Sequence, residues 1–451
     1  MGSRVVVQPG EVFSKDKVTQ HTFAKRELPS AHELAFLFDT YDDWLDSRLE
    51  RDRGAFVVSG LSKTGKTSMV EQSFIRIQKN PVTIQGKDIS SIDSFWGSIA
   101  DQLGVPEAWE SGSKSSEALT AGGGVDAGIV RGSATAGVEE HLESRKSRRS
   151  LTNYEVSRAL RESGRPLFID DFHHCESDVA IRLSRELKSI VRDSLVVLIA
   201  IPAESFSPIV GTVDNAGRFE PIEIKLWSVG ELEKIGIQGF KALGFSGSAN
   251  SLAKIAAKEA FGSPQIMQEL CLVMAQFLAR KGVGDQSAVV EVQGAMAKIL
   301  RAVAYQLKPQ NMSQFIQGRP QKGKPRMHYS FSCISDFPEF DGSAKFDHYG
   351  VALLAMRELA RNYEVQCDVS RLAEIVRLMG CDPSIDATRL GRPIGYLLQI
   401  ADETRGGLDP SLVKVGGGPG GAKDEIQIVD PYLAYYLANG DWITGAIVES
   451  A

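Results

Sequence analysis

The sequence has no run of about 18 consecutive apolar residues, so a membrane-spanning helix is not expected, and its first residues lack the apolar core of a secretory leader. Cysteine is scarce. The five residues Cys175, Cys271, Cys333, Cys367 and Cys381 are scattered, with no C-x-x-C pair. That argues against a disulfide framework or a zinc cluster and for reduced thiols in the cytoplasm. Positive charge is not in excess either. A formal net charge of −6 excludes a globally basic nucleic-acid binder and leaves room only for a local basic patch. No internal repeat is visible. What is present is ordinary globular composition, 43% apolar and 24% charged, over 451 residues, enough for two to four domains.

The most informative stretch is AFVVSGLSKTGKTSMV, residues 55–70. An apolar strand runs into a glycine-rich loop and then into a helical pattern. Gly60, Gly65, Lys66 and Thr67 stand at the G-x-x-x-x-G-K-[ST] spacing of a phosphate-binding loop. Glycines let backbone N–H groups curl around a phosphate chain, Lys66 reaches the β- and γ-phosphates, and the Thr67 hydroxyl ligates Mg²⁺. The helix that follows turns its positive end to the anion. Gly60, Ser62, Lys63, Thr64, Gly65, Lys66, Thr67 and Ser68 are therefore the candidate ATP-binding residues.

About 100 residues later PLFIDD forms a second apolar strand ending in two carboxylates, where such a domain places its second catalytic element. Asp170 is the candidate to hold Mg²⁺ through water, with Thr67, and Asp171 the candidate general base that polarises the attacking water. His173 and His174 are expected to open the next helix, either as surface residues or lining the site. A further strand, LVVLIAI, is apolar throughout and suits the buried middle of a parallel sheet.

Around these motifs the chain divides into five parts. Residues 1–29 read as an N-terminal tail, polar and mixed to about residue 20 and there either frayed or a loose edge segment, in which Arg26 is either a base or ribose contact or a solvated side chain. Residues 30–228 read as the nucleotide domain, opening on a helix at 30–50 whose Leu34, Leu37, Tyr41, Trp44, Leu45 and Leu49 share a stripe. A Ser/Gly/Ala-rich stretch near 110–150, ending in Arg145, Lys146, Arg148 and Arg149, reads either as a β-hairpin insertion or as a disordered segment. Residues 229–307 are helical, with Gly262-Ser263-Pro264 interrupting them and Pro264 at a helix start, where its missing N–H costs nothing. Residues 308–342 form a linker carrying Lys308, Arg319, Lys322, Lys324 and Arg326, with no acid from Lys308 to Ser335. It is either a flexible connection or a phosphate-backbone contact. Residues 343–451 show helices at 348–363, 369–379 and 393–402, then strands at 412–415 and 425–429, the order of a winged helix.

Together, GLSKTGKT, FIDD, Arg218 before a strand, the helical segment with Gly262-x-Pro264 and the C-terminal winged-helix pattern resemble the AAA+-related STAND ATPases. Origin-recognition ATPases and archaeal-type ATPases with a winged helix are their relatives. The resemblance spans roughly residues 20–440. It implies an α/β P-loop NTPase core, a parallel sheet with flanking helices, followed by a helical lid and a winged-helix domain. It also implies that Arg218 acts across a subunit interface as an arginine finger and that Pro264 contacts the nucleotide and couples it to lid position. The chain departs from AAA+ enzymes at the end of LVVLIAI, where Ile201-Pro202 stands in place of a sensor Asn or Thr. That departure implies a slow switch.

The reading that follows is an ATP- and Mg²⁺-dependent, slowly hydrolysing conformational switch that cycles between ATP and ADP and assembles with copies of itself. It would signal to a partner effector protein, with bacterial antiphage defence as one setting. The alternative is a DNA-binding AAA+ ATPase that grips a duplex through the basic linker and winged helix. A third reading is a nucleotide-dependent scaffold with scarcely any turnover.

Overall fold

The computed structural model describes residues 7–30, 32, 34–105, 109–110, 147–148, 153–200, 219–320, 326–330, 344–380, 384–404, 410–415 and 425–448. Its centre is a five-stranded, all-parallel sheet made of β1 (Gly54–Gly60), β2 (Val82–Gln85), β3 (Leu167–Asp170), β4 (Leu195–Ala200) and β5 (Phe219–Ile224). The strands lie in the order β2-β3-β4-β1-β5. Every residue of β3 and β4 is buried, because both faces of a parallel sheet are covered by the crossover helices that connect it. Those helices are α2 (Lys66–Arg76), α3 (Ile92–Leu103), α4 (Asn153–Ser163) and α5 (Ser177–Asp193), and α1 (Tyr41–Leu49), which precedes β1, adds to one face. One face of the sheet packs on Phe95, Ile99, Leu160, Leu183 and Leu187, the other on Trp44, Leu45, Val70 and Phe74. The fold is the expected α/β P-loop core with helical parts after it.

Four helices follow, α6 (Val229–Ala242), α7 (Ala249–Lys258), α8 (Pro264–Lys281) and α9 (Asp285–Gln306). Ser228 and Ser263 cap α6 and α8, each accepting from a backbone N–H three residues on, and Pro264 occupies the first position of α8. The last part runs α10 (His348–Arg361), β6 (Gln366–Asp368), α11 (Val369–Leu378), α12 (Ala387–Glu403), β7 (Leu412–Val415), β8 (Glu425–Ile428) and α13 (Pro431–Asn439). Its strands form an antiparallel sheet in the order β6-β8-β7.

Several expectations are corrected. The described part of the tail is not loose: a short helix, Pro9–Val12, and Phe13 pack into the α6–α8 core, where the Phe13 ring meets Phe240 at 5.3 Å. Only Tyr41–Leu49 of the 30–50 stretch is helical, since the Thr40 hydroxyl accepts from the Asp43 N–H and starts the helix there. Phe36 and Leu37 are left exposed. His173 and His174 sit in a 3₁₀ turn, Phe172–His174, ahead of α5 rather than on it. Helix α12 begins six residues before Pro393, whose ring it accommodates inside the helix. The short strand β6 carried no signal in the sequence. At the insertion, Trp109–Glu110 pairs antiparallel with Ser147–Arg148, and residues 111–146 and 149–152 lie outside the described residues, Arg145, Lys146 and Arg149 among them.

Candidate phosphate-loop site

The site lies at the carboxyl ends of the parallel strands, beside β1, where the strand order reverses. Gly60 ends β1 at φ +156°, and a Cβ there would fall 2.5 Å from the Ile224 carbonyl oxygen of β5, so the strand pair closes only around glycine. Gly65, at φ +82°, is the N-cap of α2. This left-handed residue brings the loop round so that the first N–H groups of α2 face outward, without an intrahelical partner.

Lys66 is buried, and its Nζ donates to the Gly60 and Leu61 carbonyls at 2.9 and 2.8 Å. Its ammonium thus lies across the mouth of the loop. Strand β4 separates β1 from β3, so Asp170 ends its strand about 10 Å from the start of the loop, two strand spacings away. Helix α2 closes that gap. The Thr67 hydroxyl donates to Asp170 Oδ1 at 2.9 Å, joining the two residues expected to share Mg²⁺. The β2–β3 register sets Gln85 opposite Asp170, and Gln85 Nε2 donates to Asp170 Oδ2 at 3.4 Å. Sequence reasoning missed Gln85, since its only signal is its place at a strand end.

Burial, and then the charge of Asp171, hold the Asp170 carboxyl above the ordinary carboxylate range. Burial and Asp170 also raise Glu71, on the outer side of α2. Asp171 adopts φ +48° and ψ +45°, a left-handed conformation that is rare for a non-glycine residue. Gly86 permits that turn: a Cβ on it would lie 2.2 Å from the Asp171 carbonyl oxygen.

The helical segment touches the loop at several points. Trp227 Nε1 donates to the Thr64 carbonyl at 2.8 Å, and Ser263 Oγ donates to the Lys63 carbonyl at 3.3 Å. A Cβ on Gly65 would sit 3.5 Å from the Pro264 ring, so Pro264 stands beside the loop. Lys63, at φ +59°, forms a 2.5 Å ion pair with Asp430 just before α13, and its ammonium lies 4.0 Å from the centre of the Tyr432 ring. Ser62 and Ser68 complete the expected set. Ser68, with Gly65, lines a partly open cavity.

Arg26 lines the same cavity and is 3% exposed, which rules out the solvated reading. Its guanidinium lies 4.6 Å from the Trp227 ring centre, Nη2 donates to the Lys225 carbonyl at 2.7 Å, and Nε pairs with Glu231 at 3.4 Å. Nη1 is buried with no hydrogen-bond partner among the described residues. Burial lowers the Arg26 pKa, opposed by Glu231.

Arg218 and Ile201-Pro202 lie outside the described residues, as do Lys322 and Lys324 of the basic linker. Of that linker, Arg326 pairs with Asp347 at 2.6 Å and Arg319 with Glu403. Cys175, Cys271 and Cys367 are buried free thiols, the first pushed up to about 11 by burial. Among the described residues there is no His/Cys/Asp/Glu cluster suited to a metal by itself, and no helix is long and apolar enough to cross a membrane.

No protein-family model matches the chain, and no curated protein does. Among solved structures, Cdc6p from Pyrobaculum aerophilum is 15% identical, the match covering 99% of this chain and 100% of that one at a TM-score of 0.38. The Aeropyrum pernix ORC2 protein, in ADPNP–ADP complexes, is 12% identical over 94% of this chain and 96% of that one, with a TM-score of 0.41. The Thermotoga maritima RuvB Holliday junction branch migration motor is 15% identical over 62% of this chain and 76% of that one, at 0.36. At such identities the likeness is one of arrangement alone, and no substrate or partner passes from those proteins to this chain.

Proposed function

We propose that the chain binds ATP with Mg²⁺ and hydrolyses it slowly, and that the nucleotide state is read by the C-terminal helical and β unit through the phosphate loop. The observation that carries this reading is the 2.9 Å hydrogen bond from Thr67 to Asp170, at the N-terminus of a helix capped by left-handed Gly65. A hydroxyl and a buried carboxylate side by side suit a hard, oxygen-liganded cation. Bound there, Mg²⁺ would offset the charge that develops on the transferred phosphoryl group.

The protein groups divide the remaining work. The Gly60–Thr67 loop binds the phosphates through backbone N–H groups, and Lys66 exchanges its carbonyl partners for phosphate oxygens. Asp171 takes the proton from the attacking water, and Asp170 with Thr67 holds the cation. Arg26 lends its unpaired Nη1 to an acceptor on the base or ribose, stacked beneath by Trp227. Arg218 remains the candidate finger acting on a neighbour's γ-phosphate. Mixing Arg218→Ala with Lys66→Ala subunits tests it, since recovered turnover requires action in trans.

The deciding experiment is nucleotide binding and hydrolysis by the purified chain and by Lys66→Ala. Loss of both in a folded Lys66→Ala protein supports the reading, and unchanged affinity and turnover end it.

Duplex binding is a second reading, with one observation in its favour. Arg389 and Arg392 are exposed in the first turns of α12, the third helix of a helix–strand–helix–helix–strand–strand unit, which is where a winged helix presents its groove-reading residues. A steep fall of duplex affinity with salt would support it, and absence of binding at about 50 mM salt would remove it.

A further inference from the structure

Large apolar side chains are exposed at scattered points over the described surface, and Phe36 and Leu37 stand apart as adjacent residues, 81% and 60% exposed. They project from the turn ahead of α1, and Leu37 shares the helical spacing of the buried Tyr41, Trp44 and Leu45 without being covered itself. Exposed Asp39 follows them and makes no ion pair among the described residues.

A groove of matching character runs between α8 and α9. Val273 and Phe277 of α8 and Val290 and Ile299 of α9 line it. Val290 is 71% exposed, and a Cβ placed on Gly294 would meet nothing within 4 Å, so the groove stays open along α9. Its rim is positive. Lys281 is paired with Glu291 at 2.7 Å, which leaves Arg280 and Lys298 as the charge presented to an occupant.

We propose that the occupant is a second copy of this chain, whose Phe36-Leu37 projection enters the α8–α9 groove with Asp39 toward the Arg280–Lys298 rim. Two facts favour a copy over an unrelated protein: the chain supplies both halves, and their charges are opposite. The contact is heterologous. Each molecule keeps one free projection and one free groove, so assembly runs head to tail and either closes into a ring or continues. An apolar pair in a groove is smaller than a standard interface, so association is expected at micromolar concentrations or above. This inference does not depend on ATP binding.

Sedimentation velocity of the full chain, from about 1 to 100 µM, tests it, first without nucleotide and then with Mg-ATP, so that failure to bind ATP and failure to dock are distinguishable. The paired substitution Phe36→Asp with Leu37→Asp and, separately, Val290→Asp should each hold the protein monomeric. An equimolar mixture of the two should form dimers and nothing larger, because a single junction is intact. Should Val290→Asp melt early, Lys298→Glu replaces it and should weaken association at least several-fold. The proposal is overturned if the wild type stays monomeric to the highest concentration in both conditions. Association that survives in either variant, or a mixture that forms no dimer, overturns it equally.

Discussion

Lys63 and Asp430 are 367 residues apart in sequence and form a 2.5 Å ion pair. Lys63 belongs to the variable part of the phosphate loop, whereas Asp430 is the N-cap of α13, accepting the Tyr432 N–H at 2.9 Å. The Tyr432 ring lies against the Lys63 ammonium, and its hydroxyl donates to Gln265, next to Pro264, at 3.0 Å. Loop, α8 and C-terminal unit thus meet on one cation. A phosphate chain arriving at the loop would compete with Asp430 for that charge.

Asp430→Asn isolates the ion pair, because asparagine caps a helix as well as aspartate does. Stability should fall by no more than about 1 kcal/mol, since both groups are partly exposed. The C-terminal unit should loosen, read as faster limited proteolysis and a larger scattering radius. An unchanged radius and cleavage rate, with nucleotide and without, would show that the pair holds nothing in place.

Asp171→Asn should retain ATP binding and lose about 10²–10⁴ in turnover, the usual contribution of a positioned general base. Single-turnover measurement with saturating Mg-ATP reads this directly. Wild-type turnover would move the base to another residue.

Asp170 makes a prediction in pH. Its folded-state carboxyl keeps its proton to a higher pH than the unfolded chain does, so its contribution to stability is fullest below the ordinary carboxylate range and fades as pH rises through the raised value. Asp170→Asn removes that loss. Without nucleotide the variant should melt higher than wild type at neutral pH, with the difference shrinking as pH falls into the ordinary carboxylate range. Its stabilisation by Mg-ATP should be weaker at every pH. A variant melting lower than wild type at neutral pH would contradict the sign.

Gly86→Ala tests how the Asp171 turn is held. The added methyl would lie 2.2 Å from the Asp171 carbonyl oxygen, so the turn must move. A loss of about 1–3 kcal/mol in stability is expected, as for other forced overpacking. Turnover should fall more than ATP affinity, because the shift acts on the base and not on the loop. Equal losses in both would mean that the whole strand edge had been displaced.

Much of this protein was legible in local pattern. Phosphate-loop spacing, the apolar strand ending in Asp170-Asp171, the LVVLIAI run and the Pro264 helix start all correspond to observed elements, because each rests on short-range chemistry: strand burial, left-handed glycine, capping. Tertiary structure alone decided the rest. Arg26 reads as an ordinary polar-segment residue until Trp227 and Glu231, some 200 positions later, close over it. Leu37 has the spacing of a buried helical residue, yet the Thr40 cap starts the helix beyond it and leaves it in solvent. Gln85 gains its meaning from strand register, Gly86 from the carbonyl it faces, and Lys63 from an aspartate near the other end of the chain. Contacts between distant segments depend on which surfaces the folded chain brings together, and no window of neighbouring residues contains that information.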